Sequence, residues 1–288
     1  MDTNVNFSRR RRHRPGFTLV EIIVVIAVIA ILTVILITAI SGSIQRAKKT
    51  TAMNNLRDCR IMLQQYSTKM GLVYDFPPRL TYLSTRFGFS REPGVYLDPA
   101  DPAHGTNGPF PASWDTTKAG SNPFPTNTDW YNHDLGEGTP SAPADTLPCS
   151  FIYEFADVPS SDQADMISWM YNSPSSSQWD LNGDGQIAWR EYKMYQIHHG
   201  DAYSNGYGVS HYPESLFPIL RSAWWSNFDY QNATNIDFEQ LDPNTPGSLA
   251  DVMCESLEGE YFETTKFWEA YVLTHMGKPV PPSDLLGN

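Results

Sequence analysis

Residues 14–40 read RPGFTLVEIIVVIAVIAILTVILITAI. From Phe17 to Ile40 that is a run of 24 residues with one charge, Glu21. As a helix it would be about 36 Å long at ~1.5 Å per residue, enough to cross a hydrocarbon core of about 30 Å. It is apolar on every face, as the core helix of a soluble protein rarely is. Arg9, Arg10, Arg11, Arg12 and Arg14 lie just upstream. Positive charge stays cytoplasmic, so the amino end is expected inside and the body outside, a single pass through the cytoplasmic membrane. Arg46, Lys48 and Lys49 weaken that asymmetry without reversing it. An ordinary secretory signal has about 7–15 apolar residues and then a small-x-small cleavage site. Here the apolar run is longer and the order differs: basic residues, then Gly16, then Phe17, then Glu21 inside the run.

Beyond the span, Ala52, Leu56, Cys59, Leu63, Tyr66 and Met70 recur at alternating spacings of four and three. That is one apolar stripe on an otherwise polar helix, which packs against a core. Gly71 suits a C-terminal cap, and Pro77-Pro78 block continuation.

RPGFTLVEIIVVIAVIAIL resembles the leader and N-terminal helix of type IV pilins and type II secretion pseudopilins. The resemblance implies that a prepilin peptidase cuts after Gly16 and methylates the new amine of Phe17. Thr38 stands where many members carry proline. The expected organisation is a leader at 1–16, a transmembrane helix at 17–40, its amphipathic continuation at 41–71 and an exported globular head at 72–288. A carboxylate in hydrocarbon persists only with a partner. In a helical filament, Glu21 of one subunit can neutralise the Phe17 amine of its neighbour, which makes Glu21 an assembly residue. The alternative is a charge near the interface that snorkels into water.

The net charge is −12 and the first sixteen residues carry +4, so removing them leaves −16 on the remainder. So acidic a body argues against nucleic acid as a partner for the head. Aromatic residues make up 13% of the chain, and the 22 prolines fall mainly beyond residue 76, which reads as a folded, loop-rich head. Gly94–Leu97 and Ser150–Phe155 look like strands, with mostly loop over 98–149. Tyr212–Arg221 reads as a buried strand between turns. Ala188–His198 and Glu255–His275 read as helices. Pseudopilin heads pack an antiparallel sheet on the C-terminal half of the long helix, so the expected fold class is α+β.

Asp180–Glu191 read DLNGDGQIAWRE, which matches the EF-hand calcium loop D-x-[DN]-x-[DN]-G-x5-E. Calcium takes six to eight oxygens at about 2.3–2.6 Å. Asp180, Asn182 and Asp184 supply side-chain oxygens, Gln186 a backbone carbonyl, and Glu191 closes the shell with two oxygens. Gly185 permits the sharp turn, Ile187 anchors the loop to the core, and water fills the place of Ala188. The alternative is a solvated turn without an ion. A second loop starting at Asp201 fails at Tyr203 and Tyr212, and another at Asp242 fails at Pro246. A lone loop points to a structural clamp and counts against a dockerin-like adhesion module.

There are three cysteines, Cys59, Cys149 and Cys254. Export permits a disulfide, with Cys149 and Cys254 the first pair to test; three unpaired buried thiols is the other reading. His198, His199 and His211 lack regular metal-ligand spacing, and GxSxG, P-loop and GxGxxG are absent. A non-enzymatic structural subunit of a secretion pseudopilus or pilus-like filament is the leading expectation. Its expected partners are the peptidase, other pilin-like subunits, an assembly platform and membrane lipid. The competing reading is a membrane-anchored, exported calcium-binding enzyme or carbohydrate-binding protein, with Trp224 and Trp225 stacking on sugars.

Overall fold

The computed structural model describes residues 17–71, 76–89, 92–105, 147–156, 185, 187, 189–202, 208–226, 252–265 and 268–278. Helix α1 runs from Leu19 to Met70. It ends where expected: Gly71 takes φ +75°, and its N–H donates to the Ser67 carbonyl at 3.1 Å. Glycine reaches that left-handed conformation without a Cβ penalty, which is why it closes the helix.

Two compact units divide at residue 47. In the first, the apolar side chains from Phe17 to Leu36 that the structure describes are all exposed. The second holds the core. Ala52, Leu56, Cys59 and Leu63 are fully buried and Tyr66 nearly so, as the stripe requires. Met70, expected to continue that stripe, is 47% exposed in the last turn of the helix.

Strands β1 (Ile152–Tyr153), β4 (Pro218–Ser222), β5 (Val252–Ser256) and β6 (Tyr261–Thr264) form an antiparallel sheet in the order β1-β4-β5-β6. Ile152 pairs with Arg221, Arg221 with Cys254, and Cys254 with Phe262. Every residue of β1, β4 and β5 is buried. A separate hairpin pairs β2 (Asp201–Ala202) with β3 (Gly208–Val209). Helices α2 (Tyr82–Thr85), α3 (Trp189–His199) and α4 (Trp268–His275) and a 3-10 turn at Pro93–Tyr96 are the other described elements. The α+β class and the antiparallel sheet agree with expectation.

Three local expectations fail. Gly94–Leu97 is not a strand: Pro93–Tyr96 form a 3-10 helix with proline in its first turn. Proline fixes φ near −65°, and i→i+3 bonds follow from Val95 to Glu92 and Leu97 to Gly94. Glu255–His275 is not one helix. Its first half is the β5–β6 hairpin, turned at Gly259 with φ +99°, and only Trp268–His275 is helical. Within Tyr212–Arg221 only the last four residues join a strand, since Glu214–Phe217 turn, with Leu216 N–H donating to the Pro213 carbonyl at 2.9 Å.

The second half of α1 is tied to the head by polar contacts. Lys49 Nζ lies 2.6 Å from Glu263 Oε1 on β6, and Arg60 donates to the Glu258 carbonyl at 2.7 Å. Asn55 donates to the Leu97 carbonyl at 2.8 Å.

Candidate functional site: the helix start and the head interior

Phe17 is 84% exposed at the head of α1, and Gly16 lies outside the described residues. Glu21 sits in the first turn. Its Oε2 accepts from the Thr18 backbone N–H at 2.7 Å and from Thr18 Oγ1 at 2.8 Å, while Glu21 N–H donates back to Thr18 Oγ1 at 3.3 Å. This is a capping box, which satisfies N–H groups that a helix start otherwise leaves without partners. Thr18 is thus a functional residue that the reading of the sequence missed, although T-x-x-E before an apolar run is itself a recognisable signal. Among the described residues, the bonds that Glu21 accepts end on Oε2. The helix is long and apolar enough to cross a membrane, with a mean hydropathy of 3.3 over its most apolar stretch and none of that stretch buried.

Residues 11–37 match the family model of the prokaryotic N-terminal methylation motif. That match supports a type IV pilin-like protein, membrane-anchored by a single N-terminal helix. It spans Gly16, Phe17 and Glu21. No curated protein and no solved structure matches the chain.

Of the calcium loop, Asp180, Asn182, Asp184 and Gln186 lie outside the described residues. Gly185 takes φ +85° and is exposed, Ile187 is fully buried, and Glu191 is buried in the first turn of α3. Among the described residues no group of three or more His, Cys, Asp or Glu side chains is placed to hold a metal ion. The stretch from Asp201 that failed as a second calcium loop carries both strands of the β2–β3 hairpin.

Cys149 and Cys254 are not joined: none of the three cysteines forms a disulfide, and all are buried. Cys149 Sγ donates to the Phe151 carbonyl and Cys254 Sγ to the Val252 carbonyl, so each thiol is engaged within its own segment. Burial pushes the Cys254 thiol well above its ordinary range. Trp224 and Trp225 are half-buried, and their indole N–H groups donate to the Ser150 carbonyl and to Asp98 Oδ2. Both are fastened to the head rather than set out as a stacking platform.

The head interior also holds a charge cluster. Arg221 Nε lies 2.5 Å from Glu154 Oε1, and Lys193 Nζ lies 2.6 Å from Glu269 Oε1 and 3.4 Å from Glu154 Oε2. All four side chains are buried. Lys193 Nζ also sits 4.5 Å above the Trp268 ring, a cation–π geometry. Burial pushes the Glu269 carboxyl up to about 7, opposed by the Lys193 ammonium. Two acids and two bases leave the cluster formally neutral, which is how charges survive in an apolar interior. Nearby, Asp98 accepts from Ser222 Oγ, Trp225 Nε1 and Ala100 N–H, and Asp101 from Ser150 Oγ, Ala103 N–H and Gly105 N–H. These aspartates brace the 98–105 turn against β4 and the segment before β1.

Proposed function

We propose that the chain is a structural pilin-like subunit that prepilin peptidase cuts after Gly16 and methylates at Phe17, and that assembles into a type II secretion pseudopilus or a type IV pilus-like filament. The observation that carries this reading is the methylation motif at 11–37, which runs into an apolar helix whose described side chains in the span are not buried. Such a surface needs lipid first and other apolar helices afterwards. Glu21 then does two things. Its Oε2 caps its own helix through Thr18, and its Oε1 accepts the methylated amine of the neighbouring Phe17. The leader arginines hold the amino end in the cytoplasm and the head outside it.

The test is mass spectrometry of the mature protein from membranes with and without prepilin peptidase. A methylated Phe17 terminus is expected only with the enzyme. An N-terminus after Ala39 or Ser41, or an intact leader in both, refutes the reading. Glu21→Gln should leave cleavage intact and abolish filaments. Parental filament yield from that variant defeats the role given to Oε1.

In the same reading, Asp180, Asn182, Asp184, the Gln186 carbonyl and Glu191 hold one structural calcium ion. Its support is the twelve-residue pattern together with the left-handed Gly185, the buried Ile187 and the placement of Glu191 at the start of α3. Asp180→Ala combined with Glu191→Ala should lower the melting temperature in calcium but not in chelator. Equal melting of variant and parent in both buffers refutes the ion.

A further inference from the structure

A groove of about 510 Å³ runs along the head side of α1. Asn55, Asp58, Ile61 and Met62 form one wall, and Phe89 and Val95 belong to the other. Its only charged lining residues among those described are Asp58 and Glu92, and both are exposed. Asp58 has no ion pair among the described residues. Ile61 is 39% exposed there.

Charge along the chain is segregated around this groove. Residues 46–60 carry Arg46, Lys48, Lys49, Arg57 and Arg60 against Asp58, a net +4. Residues 61–288 carry 10 basic against 29 acidic side chains, a net −19. Heads so acidic repel one another, and the described residues include a small set of exposed cations beyond residue 50: Arg57, Lys69, Arg86 and Lys278. Arg57 is one of them. It lies 17 residues beyond Ile40, roughly 25 Å further along a helix, beyond the layer of lipid headgroups.

We propose that the groove receives Arg57 of a second copy of this chain, which pairs with Asp58 while the stem of the arginine covers Ile61. This rests on the filament reading and specifies its head-level contact. Arg57 and Asp58 are successive residues, about 100° apart around the helix, so they present two different faces. A two-fold contact pairs the two residues reciprocally and closes at the dimer. A head-to-tail contact sets the basic face of one copy on the acidic face of the next and leaves one of each free at the ends, so it propagates. A displacement of one helical turn brings the incoming Arg57 level with Ile61, and the same displacement brings the incoming Phe17 amine level with Glu21. Charge complementarity of this kind fixes register more than it adds affinity.

The experiment uses the full-length chain in its membrane with prepilin peptidase present. The combined variant Arg57→Cys with Ile61→Cys should give, on oxidation, a ladder of cross-linked species beyond the dimer. Either substitution alone should give none. Absence of rungs above the dimer in the combined variant overturns the proposal. In parallel, Arg57→Asp and Asp58→Arg should each lower the yield of sheared filaments about fivefold, the order expected for losing an exposed pair at each contact. The double swap should return it to within about twofold of the parent. Single variants at parental yield overturn the contact. Loss of membrane retention by Arg57→Asp without rescue by the swap also overturns it, in favour of a lipid headgroup. A parent that is methylated at Phe17 and forms filaments while the variants are indifferent sinks this contact alone, whereas a parent that is never processed sinks the filament reading.

Discussion

Replacing Lys193 by methionine removes one of the two cations from a buried cluster of four charges. In the parent, Lys193 Nζ stands 2.6 Å from Glu269 Oε1 and 3.4 Å from Glu154 Oε2. Glu154 keeps Arg221 at 2.5 Å, so it remains paired in the variant. Glu269 loses its near cation, and its Oε2 already lacks a hydrogen-bond partner among the described residues. Removing one member of a buried pair typically costs about 3–5 kcal/mol, because the remaining charge stays out of water. Loss of the ammonium over the Trp268 ring acts in the same direction. Urea unfolding of the full-length protein in detergent, followed by tryptophan fluorescence, measures the difference. The pH dependence gives a second reading. A glutamate whose folded pKa is raised above its unfolded value binds more protons in the native state between the two. Stability is therefore greater below the unfolded value and falls as pH rises through the folded one. Glu269 stands at about 7 in the parent, and removing Lys193 raises it further. The deficit of the variant should therefore shrink between pH 7 and pH 5. Lys193→Met combined with Glu269→Met should recover most of the loss, since a neutral, similarly sized pair needs no compensation. A deficit below about 1 kcal/mol, the range of an exposed pair, or one that widens on acidification, would falsify the role given to this cluster.

Gly200→Ala should destabilise the head by more than about 2 kcal/mol, because strain and a core clash act together. Gly200 has φ +67°, and a Cβ there would overlap the Val209 carbonyl oxygen on β3; denaturant titration showing a loss under about 0.5 kcal/mol contradicts the close approach. Glu255 is buried beside Arg60 Nε at 3.9 Å, and burial pushes its carboxyl up to about 7. By the same sign rule it contributes stability below pH 4.5 that fades toward pH 7, so Glu255→Gln should flatten the pH dependence of melting in that window, and an unchanged slope rules it out as a source.

The sequence made some of this architecture legible because some constraints are local. A membrane-length apolar run, a stripe at alternating spacings of three and four, and Gly71 ahead of two prolines each act within a few turns of chain. The structure places α1, its buried stripe and its cap accordingly. The hairpin at 252–264 was not legible, because Glu255-Ser256-Leu257-Glu258 has acceptable helix propensity and only cross-strand pairing, Glu255 with Leu220 and Ser256 with Pro218, decides otherwise. Met70 fits the periodicity but not the burial, since a stripe says which face is apolar and not how far the cover extends. The charge cluster was invisible for a deeper reason. Glu154, Lys193, Arg221 and Glu269 lie on four separate stretches of the chain, and only the fold reveals that they meet. Thr18 was missed although its signal is local, because Glu21 looked explained by a partner on another chain.

Helix α3 carries both Glu191 and a member of the buried charge cluster, Lys193. Glu191 lies in its first turn, and Lys193 follows two residues later. Residues two apart on a helix point about 200° away from each other, so Glu191 and Lys193 leave this short helix on different sides. Lys193 is held by Glu154 next to β1 and by Glu269 on α4. Anything that fixes Glu191 therefore restrains the rotation of a helix whose opposite face is pinned by an ion pair in the core. On this arrangement a calcium ion at Asp180–Glu191 would stiffen more than its own loop, and its removal would be felt at Glu269. In the proposed double replacement of Asp180 and Glu191, the lost stability should thus depend on Lys193: with Lys193→Met already in place, the two deficits should fall short of additivity.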